Sequence, residues 1–322
     1  MTRVLLPFPS QCELAKAMSP LLAARTGRLD WRHFPDGESL VAVEEDLGGV
    51  DVAIVASLHN PDELALPLRF AAATAREFGA RSVGLIAPYL AYMRQDRRFN
   101  PGEAVSAPLF ARFLEESFDW LVTADPHLHR NPELSQLYRI PVRRVATAPL
   151  VADWIRNNLP NAVLIGPDVE SEQWVADIAS RAAVPYQVLA KTRHGDRDVE
   201  VSLPSLDAVL DRTPVVIDDI VSSGRTLIET VGHLKRLGLP PAVCIVIHPV
   251  FAGQAYAQLL AAGAARVVST DSIPHPSNII PIASLLASAS AELFGGAPSS
   301  EDHRPGAGCF ATTRNRQKGK TP

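Results

Sequence analysis

The sequence is poor in cysteine: only Cys12, Cys244 and Cys309 occur among its 322 residues, and they lie far apart. This scarcity excludes a disulfide framework and a cysteine zinc knuckle, and it is typical of proteins from a reducing compartment. Apolar runs long enough to span a membrane are absent, and the first residues lack the apolar core and cleavage site of a signal peptide. We therefore expect a cytoplasmic protein without a membrane partner.

The sequence also lacks an excess of charge of either sign. Its 31 Lys and Arg residues nearly balance 35 Asp and Glu residues, which gives a formal net charge of −4. Such a balance produces no global attraction to nucleic acid, so any basic site must be local. With 47% hydrophobic and 20% charged residues, the composition is that of a globular protein, and the length suffices for two domains.

Short β-branched runs alternate with longer amphipathic stretches along the chain. Strands are predicted at 51–58, 82–87, 120–124, 162–166, 214–218, 242–248 and 266–270, and helices at 13–25, 62–78, 108–117, 172–183, 226–237 and 254–262. Strands separated by single helices form parallel sheets, because parallel neighbours need a crossover connection. The similar rhythm of the two halves predicts two tandem α/β domains, 1–145 and 146–294. A tail rich in Gly, Pro and Ser at 295–322 is predicted to be disordered.

The most specific local signal follows the apolar strand 215–217. Two adjacent carboxylates, Asp218 and Asp219, end the strand, and a turn that opens a helix comes next: Ser222, Ser223, Gly224, Arg225 and Thr226. Backbone N–H groups and hydroxyls at a helix N-terminus suit a phosphate, and the carboxylates suit ribose hydroxyls or a hydrated magnesium ion. The alternative is a plain strand–turn–helix connection with a serine N-cap.

This segment resembles the phosphoribosyl-pyrophosphate loop of type I phosphoribosyltransferases and of ribose-phosphate pyrophosphokinases. Three further segments resemble the second family: Phe34-Pro35-Asp36-Gly37-Glu38, the stretch 88–103 around Arg94-Gln95-Asp96, and the stretch 191–198 with Lys191 and Arg193. Together they occur in matching order over about residues 2–290, which is far more specific than any single match. The resemblance implies two tandem type I phosphoribosyltransferase-like domains, each with a mainly parallel sheet flanked by helices.

The resemblance also implies a reaction, a set of site residues and a cofactor. The β,γ-diphosphoryl group of ATP would pass to the 1-hydroxyl of ribose 5-phosphate, giving 5-phosphoribosyl 1-pyrophosphate and AMP. Lys191 and Arg193 would be catalytic, and magnesium would lie near His127 and Asp168. ATP would be bound by Phe34, Asp36, Gly37, Glu38, Arg94, Gln95 and Asp96. Ribose 5-phosphate would be bound by Arg193, Asp218, Asp219, Ser222, Ser223, Gly224, Arg225 and Thr226. The family takes its Asp-Gly-Glu segment from a neighbouring subunit, which implies a homo-oligomer.

Several of these segments also have an ordinary structural explanation. The arginines at 94–98 are compatible with a solvated turn, the stretch 191–198 with a charged hairpin tip, and Asp168 with an N-cap. A zinc site at His127 lacks further ligands nearby. Two other functions stay open: a phosphoribosyltransferase that consumes the activated sugar, and a non-catalytic regulatory paralogue. The second stays open because residues 169–174 replace the small and glycine residues common in the family.

Overall fold

The computed structural model describes residues 2–128, 133–193, 199–202 and 210–295. In its first half the strands are β1 (Arg3–Pro7), β2 (Ala24–Thr26), β3 (Leu29–His33), β4 (Ser39–Val43), β5 (Asp51–Val55), β6 (Ser82–Ala87), β7 (Trp120–Ala124) and β8 (Val142–Val145). The helices are α1 (Cys12–Leu21), α2 (Pro61–Glu77) and α3 (Ser106–Glu115). Six strands form a parallel sheet in the order β2-β1-β5-β6-β7-β8, and β3 and β4 form a separate antiparallel hairpin.

The second half repeats this arrangement. Its strands are β9 (Ala162–Gly166), β10 (Tyr186–Val188), β11 (Ala190–Arg193), β12 (Val199–Ser202), β13 (Thr213–Ile220), β14 (Val243–His248), β15 (Arg266–Thr270) and β16 (Asn278–Ile280). Its helices are α4 (Ala148–Asn158), α5 (Glu172–Ala182), α6 (Arg225–Arg236), α7 (Ala255–Ala261) and α8 (Ala283–Ala291). The parallel sheet has the order β10-β9-β13-β14-β15-β16, and β11 and β12 form the second hairpin.

Helices cover both faces of each sheet. The two faces of the first sheet belong to two separate buried clusters, and so do the two faces of the second sheet. Every residue of β5, β6 and β14 is buried. These strands therefore appear in the sequence as nearly continuous apolar runs, as expected for parallel sheets that have no solvent-facing side. We call each sheet with the helices on its faces a lobe.

The last helix of the chain packs on the first sheet. Leu286 of α8 lies in the same buried cluster as Leu5, Met18 and Trp120, whereas α4, which follows the first sheet in sequence, packs in the second lobe with α5. Each lobe is thus completed by a helix that follows the last strand of the other lobe. The predicted boundaries 1–145 and 146–294 stay a prediction, and residues 296–322 of the predicted tail lie outside the described residues.

Among the described residues, no helix combines the length and the apolar composition that a membrane crossing requires.

The packing of α8 predicts that Leu286→Ala destabilises the first lobe. Leu286 is fully buried, and removing a buried leucine side chain typically costs roughly 2–5 kcal/mol. Leu21→Ala on α1 is a matched control, because Leu21 is 57% exposed and its loss should change stability little. Urea denaturation of both variants measures the difference. Equal stability of the two variants would contradict the placement of α8 in this core.

Candidate active site

The predicted phosphate turn lies at the carboxyl end of β13. Helix α6 begins at Arg225, and its N-cap is Gly224, which has φ 70°. A left-handed conformation is strained for residues with a Cβ atom, so glycine suits this position. The N–H groups of the first turn of α6 have no partner within the helix and are available to an anion. We call residues 222–226 the cradle turn.

A pocket joins the cradle turn to the first lobe. It is lined by Arg94, by Asp218 and by residues 220–227. The guanidinium side chain of Arg225 is exposed and pairs with Glu229 at 2.8 Å on the surface of α6, so its backbone is the part suited to a ligand. Arg94, which the sequence assigns to the nucleotide, is therefore brought to the wall of the predicted ribose 5-phosphate pocket.

Two carboxylates with different surroundings end β13. Burial, together with the charges of Asp219 and Asp168, raises the pKa of Asp218 to about 8. Burial acts in the same direction on Asp219, but the contact with His127 outweighs it and lowers the pKa of Asp219. Asp219 Oδ2 lies 2.6 Å from His127 Nδ1, which comes from the loop after β7 in the first lobe. Carboxyl groups are thus concentrated where the two lobes meet.

This concentration of carboxylates fits a hard divalent cation, which prefers oxygen ligands and commonly takes the rest from water and substrate phosphates. Within the described parts of the chain, no three His, Cys, Asp or Glu side chains are already arranged around one metal position. Asp168 accepts a hydrogen bond from Ser171 N at 3.1 Å and caps the short 3-10 turn Val169–Ser171. The capping explanation therefore describes one contact of Asp168, and its role as a metal ligand stays a prediction.

Glu103, to which no role was predicted, closes the loop that carries Arg94 and Gln95. The Glu103 carboxylate accepts hydrogen bonds from Phe99 N at 3.1 Å and Asn100 N at 3.0 Å. Its side-chain bond from Asn100, followed by these backbone bonds, lowers the pKa of Glu103. Gln95 Nε2 lies 3.4 Å from the same carboxylate, and Asp96 is also engaged in contacts. Glu103 therefore gives the predicted nucleotide loop its shape.

The other predicted nucleotide segment forms the tip of the hairpin β3–β4. Phe34 N donates to Glu38 O at 2.7 Å, and Gly37 has φ 92°, as a tight turn requires. Phe34 is 39% exposed, and the guanidinium of Arg32 lies 4.7 Å from its ring centre. Asp36 Oδ1 accepts from Glu38 N at 3.3 Å. No residue of this tip lines the described pocket beside the cradle turn.

The predicted catalytic residues lie on the second hairpin. Lys191 and Arg193 belong to β11, which pairs with β12 in an antiparallel register. The connection 194–198 lies outside the described residues, as do the side chains of Lys191 and Arg193. In chain order, the hairpin β11–β12 comes directly before β13, as the hairpin β3–β4 comes directly before β5.

Between the lobes lie three residues to which the sequence predictions assigned no separate role. His248 ends β14, is fully buried, and lies with Nε2 3.2 Å from the backbone oxygen of Asp125. The ring of Tyr89, which follows β6, lies 5.0 Å from the His248 ring. Tyr89 belongs to the predicted nucleotide stretch 88–103, and Asp125 lies two residues before the predicted metal residue His127. The sequence signal for His248 was its position at the end of an apolar strand, where ligands bind in open α/β sheets.

Comparison with known proteins identifies the family of this chain. A family profile described as the N-terminal domain of ribose phosphate pyrophosphokinase matches residues 4–117, and one described as a phosphoribosyl transferase domain matches residues 133–282. A ribose-phosphate pyrophosphokinase of Methanothermobacter thermautotrophicus is 34% identical, over 85% of this chain and 95% of the relative. The chain belongs to the ribose-phosphate pyrophosphokinase family.

A second relative and a solved structure also match over most of the chain. A ribose-phosphate pyrophosphokinase of Methanopyrus kandleri is 32% identical, over 88% of this chain and 97% of the relative. The crystal structure of phosphoribosylpyrophosphate synthetase from Mycobacterium smegmatis has the same fold, with a TM-score of 0.78 at 23% identity, over 91% of this chain and 99% of that one. The predicted family and the predicted fold class are confirmed.

The raised pKa of Asp218 predicts a pH-dependent effect of Asp218→Asn on stability. The fold favours the protonated carboxyl, so the stabilisation from this group is present at low pH and is lost as the pH rises toward 8. Asparagine stays neutral throughout. In the ligand-free protein with a chelator, the Tm of the variant relative to wild type should therefore increase from pH 5 to pH 9.

Thermal denaturation across this pH range measures the trend. Asp177→Asn on the surface of α5, where Asp177 pairs with Arg181, should show no such increase. A variant that becomes relatively less stable with rising pH would show that Asp218 is ionised in the ligand-free fold.

Proposed function

We propose that this chain is a magnesium-dependent ribose-phosphate pyrophosphokinase that makes 5-phosphoribosyl 1-pyrophosphate and AMP from ATP and ribose 5-phosphate. The observation that carries the assignment of the site is that residues of both lobes meet there. The cradle turn of the second lobe and Arg94 of the first lobe line the same pocket, and His127 of the first lobe contacts Asp219 of the second. A transfer between two phosphorylated substrates requires two binding regions that meet in this way.

The second lobe supplies the sugar-phosphate half of the proposed site. The backbone N–H groups and hydroxyls of the cradle turn would hold the 5-phosphate at the N-terminus of α6, where the helix dipole favours an anion. Asp218 and Asp219 would accept hydrogen bonds from the ribose hydroxyls and orient the anomeric oxygen. Since successive strand residues face opposite ways, the two carboxylates need not have the same partner.

The first lobe supplies the nucleotide half. Arg94 carries a guanidinium group whose planar donors match phosphate oxygens, and Glu103 holds the loop around Gln95 and Asp96 in place. The hairpin tip with Phe34, Asp36, Gly37 and Glu38 does not line the pocket of its own chain. We propose that the tip reaches the nucleotide of a neighbouring subunit in a homo-oligomer, as the family resemblance implies.

The transfer itself needs alignment and charge stabilisation more than covalent catalysis. The anomeric oxygen would form a bond to the β-phosphorus of ATP, while the bond from that phosphorus to the oxygen shared with the α-phosphate breaks and AMP leaves. Lys191 and Arg193 would stabilise the charge that develops on the transferred group. Asp168, His127 and the β13 carboxylates would hold magnesium, which supplies screening between the two polyanions when bound.

The alternatives account for less of the chain. A phosphoribosyltransferase would use the cradle turn but would leave Arg94 and the hairpin tip without a role. A regulatory paralogue is favoured by one feature, the altered segment 169–174, which places Glu172 at the start of α5. Retention of both Lys191 and Arg193 favours an active enzyme.

Phosphorus NMR of the protein with magnesium, ATP and ribose 5-phosphate tests the function directly. We expect an anomeric pyrophosphate and AMP to appear together, and no product when magnesium is removed with a chelator. Production of pyrophosphate from added 5-phosphoribosyl 1-pyrophosphate and a base would support a phosphoribosyltransferase. No turnover alone, but stimulation of an active relative, would support the paralogue.

Asp218→Asn combined with Asp219→Asn should weaken the binding of ribose 5-phosphate more than that of ATP. The amides keep the side-chain shape but remove the charge, and a lost hydrogen bond to a charged group is worth roughly 1.5–3 kcal/mol, or about one to two decades in affinity. Titration calorimetry measures each ligand separately, with Asp177→Asn as the control. Unchanged affinity and turnover with ribose 5-phosphate would place the sugar site elsewhere.

Lys191→Ala or Arg193→Ala should lower kcat much more than it raises KM for either substrate. Cations that act on the transferred group meet their partner charge mainly in the transition state, so their loss affects the chemical step. Arg181→Ala on the exposed face of α5 is a control for the loss of a positive charge. Wild-type kcat in both variants would show that this segment is a charged hairpin tip without a catalytic role.

A further inference from the structure

We infer that His248 is a positioning residue that holds the nucleotide half of the site against the sugar half, an inference that rests on the proposed function. His248 belongs to the second lobe, but its ring makes contacts on both sides of the lobe boundary. It is fully buried, so these contacts are not exchanged for water. A buried imidazole is costly unless both nitrogens are hydrogen-bonded.

Within its own lobe, the ring is anchored by a network of hydroxyls. His248 Nδ1 lies 2.9 Å from Ser272 Oγ. Ser272 N in turn donates to Thr270 Oγ1 at 3.2 Å, and that hydroxyl donates to Ile247 O at 2.6 Å. All these groups are buried. The network therefore gives the imidazole a single orientation at the end of β14.

Across the boundary, the ring reaches the backbone of the first lobe. His248 Nε2 donates to Asp125 O at 3.2 Å. Burial lowers the pKa of His248. On one side of the ring, Ser272 Oγ lies 2.9 Å from Nδ1 and also donates to Ile247 O at 2.9 Å. On the other side, the bond to Asp125 requires a proton on Nε2. The proton assignment follows from the carbonyl of Asp125, which can only accept.

Asp125 itself is held in a strained conformation. Its φ is 29°, unusual for a residue other than glycine. Its carboxylate accepts from Thr147 N at 2.7 Å and from Thr147 Oγ1 at 2.6 Å. Strain of this kind persists only where the surroundings over-determine it. The carboxylate bonds and the His248 bond together fix the direction of the chain as it leaves β7.

Both first-lobe contacts of His248 lie next to residues of the proposed site. Asp125 is two residues before His127, whose Nδ1 lies 2.6 Å from Asp219 Oδ2. Tyr89, whose ring lies 5.0 Å from that of His248, begins the loop that brings Arg94 to the pocket. His248 thus contacts two separate loops of the first lobe, and each of these loops delivers one side chain to the site.

His248→Asn and His248→Gln form a matched pair that tests this role. The asparagine amide group reaches about as far as Nδ1 and can bond to Ser272 but not to Asp125. The glutamine amide nitrogen reaches about as far as Nε2 and can still donate to Asp125. A misplacement of about 1 Å can lower the rate about 100-fold. We therefore expect His248→Asn to lower kcat on the order of 10-fold to 100-fold, with Kd values for both substrates little changed, and His248→Gln to retain most of the wild-type kcat.

Hydrogen exchange gives a readout that does not depend on activity. Peptides that cover residues 86–94 and 122–128 should exchange faster in His248→Asn than in His248→Gln. Ser272→Ala leaves His248 in place and should shift kcat and exchange in the same direction by less, which keeps the test valid if the asparagine variant does not fold. The role of His248 would be overturned if the two variants of the matched pair had equal kcat and equal exchange. If the asparagine variant does not fold, wild-type kcat and exchange in Ser272→Ala would overturn it. A wild-type protein without turnover would instead contradict the proposed function.

Discussion

The proposed site depends on the contact between the carboxyl ends of two parallel sheets. The loop after β7 of the first lobe meets the ends of β13 and β14 of the second through the His127–Asp219 contact and the His248–Asp125 hydrogen bond. The loop after β6 meets the end of β14 through the rings of Tyr89 and His248. Ligands bind at the carboxyl ends of strands in open α/β sheets because helix N-termini and loop residues converge there. Joining two such ends gives a pocket lined by Arg94 of the first lobe and the cradle turn of the second.

The two lobes share one topology but differ in the turn that follows the third strand of each sheet. In the second lobe this turn is the cradle turn, with Gly224 at φ 70° before α6. In the first lobe the corresponding helix α2 begins at Pro61, which has no N–H, and has Asp62 and Glu63 in its first turn. Carboxylates at a helix N-terminus repel an anion and occupy its place. The proposed site for the 5-phosphate therefore lies in the second lobe, and the first lobe contributes loops and a hairpin to the proposed site.

The sequence was informative where structure is local. Strands such as 82–87, 120–124 and 162–166 were predicted with the observed bounds, because buried parallel strands are continuous apolar runs. The cradle turn was recognisable because its serines and glycine follow closely on the paired aspartates Asp218 and Asp219 in the sequence. Helix α8 was not predicted: its own residues are small or apolar at every position, so the sequence shows no amphipathic pattern there. His248 and Glu103 were missed because their partners come from loops that are apart in sequence or from backbone groups, which composition does not reveal.

A crystal structure with magnesium, ribose 5-phosphate and a non-hydrolysable ATP analogue tests most directly whether the two halves act as one site. The account predicts the 5-phosphate within about 2.7–3.2 Å of the backbone N–H groups of the cradle turn, and the β-phosphorus of the analogue next to the anomeric oxygen, with Arg94 on its phosphates. A sugar phosphate bound away from the cradle turn, or a nucleotide bound on a different face of the lobes, would contradict it.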